Sequence, residues 1–93
     1  MPEQPTITFS LFVLSLSASA EIHLGILPPP GADKPAPPNL KEAAHLIELL
    51  AMLQEKTANN LEESEEQLLD AVLYDLRMRY VELTGAGTTA EKD

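Results

Sequence analysis

Ninety-three residues with six Lys+Arg, fifteen Asp+Glu and a formal net charge of −9 describe one small, acidic domain. No cysteine is present, which excludes a disulfide framework, a thiolate metal site and a cysteine nucleophile. Tryptophan is absent and aromatics make up 4%, so neither a base-stacking platform nor a basic phosphate-binding face is available for nucleic acid.

Residues 1–5 read as a flexible tail. Residues 7–27 are rich in apolar side chains and contain Ala18-Ser19-Ala20 before Glu21, which has the look of a secretory leader with its cleavage site. The flank argues otherwise. Residues 1–6 carry Glu3 and no Lys or Arg, so the basic segment of a leader is missing. Ser10, Ser15, Ser17, Ser19, Glu21 and His23 also interrupt the run, which is too polar for a membrane span. The chain is therefore expected to keep its first residues and to stay in the cytoplasm, with no membrane partner.

Residues 6–17 alternate well enough for a strand, and Ile7, Thr8, Phe9, Phe12 and Val13 favour one. No other segment offers a partner strand, so a helix is predicted over 8–24. On it Ile7, Leu11, Leu14, Ala18 and Ile22 form one face. Phe9, Phe12, Val13, Leu16, Ala20 and Leu24 form the opposite one. Gly25 suits the C-terminal cap. Residues 28–38 hold Pro28-Pro29-Pro30-Gly31, Pro35, Pro37 and Pro38, a stiff linker that cannot continue a helix.

A second helix is predicted over 40–57, capped by Asn39 with Glu42 three residues on. Leu40, Ala43, Ala44, Leu46, Ile47, Leu49, Leu50, Ala51 and Leu53 cover more than half of its circumference. An ordinary surface helix carries a stripe of about 100°. Two neighbours from the same chain are not expected to cover that arc fully. The helix should end near Thr57-Ala58-Asn59-Asn60, where Asn can take a left-handed cap. A third helix is predicted over 61–83, capped by Asn60, with Glu62, Glu63, Glu65 and Glu66 complementing its amide dipoles. Leu68, Leu69, Val72, Leu73, Leu76, Tyr80 and Leu83 form its core face. Ala71, Tyr74, Met78 and Val81 form a second apolar strip, with Asp70 and Arg77 on one flank. Asp75 and Arg79 have the spacing of a helical ion pair. Residues 85–93 read as a second flexible tail, leaving 6–84 as the folded domain.

The run Leu73-Tyr74-Asp75-Leu76-Arg77-Met78-Arg79-Tyr80 carries a resemblance. Before it come Leu14-Ser15-Leu16, His23-Leu24-Gly25, Met52-Leu53-Gln54-Glu55-Lys56-Thr57 and Asn60-Leu61. In this order, over residues 9–81, they resemble a family of short bacterial proteins known only as a domain of unknown function. Members commonly have Lys-Gly where this chain has Ala58-Asn59. The resemblance implies an all-helical first segment and a bacterial cytoplasmic setting. It implies no reaction, cofactor or catalytic residue.

Chemistry is thinly represented. Glu42 and His45 match the Glu-x-x-His spacing of dimetal bundles, but His45 shares a polar strip with Lys41 and Glu48. Arg77 and Arg79 have the charge for an anion, but lie among Asp70, Asp75 and Glu82. Two histidines without a matched acid and nucleophile do not make an active site. The expected class is all-α: a three-helix unit, a helical hairpin plus an N-terminal helix, assembling as a helical-bundle homodimer. It is expected to be non-enzymatic, to need no cofactor and to take itself, or another protein, as partner. Phe12, Leu16, Tyr74, Met78 and Val81 are the interface candidates. The alternative is a bundle that binds a small molecule or metal through Glu42 and His45, or through Arg77 and Arg79.

Overall fold

The computed structural model describes residues 7–85. They form three α-helices: α1 (Phe9–His23), α2 (Leu40–Lys56) and α3 (Glu63–Thr84). Each helix packs on both others, and no strand occurs among the described residues. Of the tails expected at residues 1–5 and 85–93, only Gly85 is among the described residues, where it caps α3; the rest lie outside the described part.

The strand-like alternation of the first segment yields to helix. Thr8 caps α1, its side-chain oxygen accepting from the Leu11 N–H at 3.0 Å. The other end closes in a Schellman turn. Gly25 N–H donates to the Ile22 carbonyl at 3.0 Å and Ile26 N–H to the Glu21 carbonyl at 2.9 Å. Gly25 has φ +80°, which an L side chain resists. A Cβ there would also sit 3.1 Å from Pro38 Cγ and 3.2 Å from the Ala36 carbonyl oxygen. Gly31, also in the left-handed region at φ +83°, has nothing within 4 Å of such a Cβ. Gly25→Ala is therefore expected to cost about 2–3 kcal/mol and Gly31→Ala about 1 kcal/mol, given about 1–3 kcal/mol for such backbone strain. Urea unfolding followed by circular dichroism would rank the two.

The proline linker is almost wholly exposed, yet its far end returns to α1. Asn39 N–H donates to the His23 carbonyl at 2.7 Å, satisfying one of the orphan acceptors of α1. That bond uses the donor a reciprocal capping box would have needed. The Asn39 side chain still caps α2, accepting from the Glu42 N–H at 3.2 Å. Asn39→Ala should lower stability by about 1 kcal/mol and Asn39→Gly by only a few tenths, the ordinary ordering for this position. Thermal unfolding of the two variants checks it.

Between α2 and α3 the boundary differs from the sequence expectation. Asn60 does not cap α3; its N–H closes a turn onto the Thr57 carbonyl at 2.9 Å. Leu61 stays outside the helix, half-buried against the core. Glu62 becomes the cap, its N–H donating to the Glu65 carboxylate at 2.9 Å. Asn59 adopts φ 67°, the left-handed conformation expected of an Asn in this loop.

The core is Val13, Ala20 and Leu24 of the first segment, Ala43, Ile47 and Leu50 of α2, and Leu69, Val72, Leu73 and Leu76 of α3. The i, i+7, i+11 spacing of the first set, i, i+4, i+7 of the second and i, i+3, i+4, i+7 of the third put each on one helix face. No polar side chain is buried with them among the described residues. α1 thus turns its Phe9–Val13–Leu16–Ala20 side inward. Leu83, expected on the core face of α3, is instead 45% exposed, beyond the last buried turn. α2 also differs: against expectation α1 and α3 bury or half-bury every residue of its wide apolar arc, and Met52, which is not part of that arc, is exposed.

Candidate functional site

With the core filled, several large apolar side chains remain outside on rigid helices. On α3, Tyr74 is 69% exposed, Met78 44% and Val81 37%, and Ala71 is exposed beside them. This is the second strip read from the sequence. It borders an open groove of about 440 Å³ lined by Leu73, Tyr74, Arg77, Met78 and Val81, with Asp70 and Gln54 at its edge. Leu73 is buried and forms the floor; Gln54 is contributed by α2.

The groove has an ordered polar margin. Gln54 Nε2 donates to Asp70 Oδ1, a contact between helices that no local sequence pattern signals. Arg77 is exposed and makes no ion pair among the described residues. Arg79, by contrast, is engaged as expected, its Nε donating to the Asp75 carboxylate at 3.1 Å. Both of those partners are about half exposed, so the pair contributes no more than about 0.5 kcal/mol.

A second unpartnered face lies on α1. Leu11 and Leu14 of α1, and Ile7 just before it, point away from the core, at 53%, 47% and 84% exposure. Phe12 is 43% exposed at the edge between the two faces. Leu16 differs from the other interface candidates: it is half-buried and packs against the chain's own core. The candidates therefore fall on two surfaces, Phe12 with α1 and Tyr74, Met78 and Val81 with α3.

The histidines stay apart. His45 is exposed and borders a shallower depression with Glu48, Leu49 and Met52. Glu42 is exposed one turn before it. His23 is half-buried at the end of α1, where its carbonyl takes the Asn39 bond. Among the described residues no group of three or more His, Asp or Glu side chains converges. No helix there is long and apolar enough to cross a membrane.

Fold and surface thus define a three-helix domain with a filled core and apolar faces left open. Residues 6–82 match the model of a family described as Domain of unknown function (DUF1844), and the chain belongs to that family. Neither the curated proteins nor the solved structures gave a match.

Proposed function

We propose that the protein is a non-enzymatic self-associating module, most simply a two-fold dimer, acting through protein–protein contact in the bacterial cytoplasm. The observation that carries this reading is the strip of Tyr74, Met78 and Val81 exposed beside an open groove. Small monomeric proteins seldom leave a contiguous apolar surface on rigid elements, and Tyr and Met are enriched at the centres of interfaces. A second copy presents the same strip, so two-fold symmetry covers both at once. The charge of −9 works against lipid headgroups and nucleic acid as alternative occupants. The test is sedimentation equilibrium across the micromolar range. The expected species has twice the chain mass of 10.1 kDa; a folded particle of 10.1 kDa at every concentration overturns the reading.

A further inference from the structure

The α3 groove is self-complementary in a way that specifies how two copies meet. Asp70, Tyr74, Arg77 and Val81 follow one another at spacings of four, three and four, the 3.5-residue average of a helix–helix seam. All four line the groove. The spacing reads the same in both directions, with its midpoint between Asp75 and Leu76. Leu73 and Met78, which also line the groove, are symmetric about the same point. The chemistry is symmetric as well. Arg77 is one of only six basic side chains in a chain of −9, and it lies in an apolar groove with no ion-pair partner among the described residues. Asp70 and Tyr74 are one helical turn apart in that groove, the carboxylate held in place by Gln54.

Resting on the self-association reading, we propose that two copies pair α3 against α3, antiparallel, about a two-fold axis level with the Asp75–Leu76 peptide. In that arrangement Tyr74 and the partner's Arg77 share a level, and Leu73 meets the partner's Met78. The guanidinium covers the tyrosine ring, a cation–π contact, and its side-chain length lets it reach the carboxylate of the partner's Asp70 one turn away. Symmetry makes each contact twice. A parallel pairing would instead place Arg77 beside the partner's Arg77 and Tyr74 beside the partner's Tyr74, leaving neither cation nor carboxylate matched.

Charge exchange tests the pairing by sedimentation. Arg77→Asp and Asp70→Arg should each raise the dimer dissociation constant roughly 10–100-fold, because each removes two symmetric contacts. The double variant Asp70→Arg/Arg77→Asp should regain dimer, since the exchanged charges face each other again. Both positions are exposed, and unchanged helicity by circular dichroism confirms that each variant folds. The chain has no cysteine, so introduced thiols report geometry directly. A mixture of Tyr74→Cys and Arg77→Cys chains should cross-link, whereas Val81→Cys alone should not. At 1.5 Å per residue the antiparallel arrangement separates Val81 from the partner's Val81 by about 16 Å along the axis. A wild-type monomer overturns the self-association reading and this seam together. A wild-type dimer whose single variants dissociate no more readily, whose double variant fails to recover, or whose Val81→Cys form cross-links, overturns the seam alone.

Discussion

Leu50→Ala is expected to unfold at a much lower urea concentration than the wild type. Leu50 sits near the middle of α2 with no exposed surface, within the cluster that joins all three helices. Truncating a leucine in such a place costs about 2–5 kcal/mol, because the lost apolar contact is compounded by a cavity that neighbours only partly refill. Taking about 0.05–0.15 kcal/mol per residue, a domain of this size holds roughly 4–12 kcal/mol in all. Neither a disulfide nor a buried polar network among the described residues supplements the apolar core. One cavity at its centre therefore removes a large fraction of the total. Leu83→Ala is the comparison: at 45% exposure beyond the last buried turn, it should change stability by less than about 1 kcal/mol. Urea unfolding by circular dichroism at one fixed protein concentration would separate the two; equal midpoints would mean that the core is centred elsewhere.

Helix number and helix type were legible because the relevant residues act locally. Thr8, Asn39 and Gly25 stop or start a helix through bonds to backbone groups within four residues. The start of α3 was less legible because Asn60 is the favoured cap by residue type and Glu62 is not. Asn60 and Glu62 can each satisfy a first-turn donor, and the tertiary packing of Leu61 decides between them by holding that residue outside the helix. The orientation of α1 was not legible at all. Its two faces carry similar apolar surface, so burial energy alone chooses neither. Shape favours the side with Ala20, whose small side chain is fully buried, and Leu24, carried into the core by the Schellman turn. The strip of Tyr74, Met78 and Val81 was readable from spacing, since it lies away from the core face of its own helix. Its groove was not, because one edge comes from Gln54, sixteen residues before Asp70, and nothing in either local pattern pairs them.

If two copies pair through α3 as proposed, Met78→Glu is expected to yield a folded monomer. Met78 is 44% exposed in the single chain, so a glutamate there reaches water when the chain is alone. Glutamate is also a good helix former, and its i,i+4 repulsion with Glu82 costs only a few tenths of a kcal/mol. The fold should therefore survive with full helicity. Across an α3–α3 seam the same carboxylate would face the partner's Leu73, and the Arg77 guanidinium in that groove is already committed to the Tyr74 ring and the Asp70 carboxylate of the other copy. An unpaired charge taken out of water costs several kcal/mol, and symmetry imposes that cost twice. Sedimentation should then show 10.1 kDa at concentrations where the wild type shows twice that mass. Leu11→Glu separates the two exposed faces. Leu11 is 53% exposed on the outer side of α1, where a charge should leave an α3 seam intact. If Leu11→Glu dissociates the assembly and Met78→Glu does not, the two copies meet through α1, and the α3 groove is free for a different occupant.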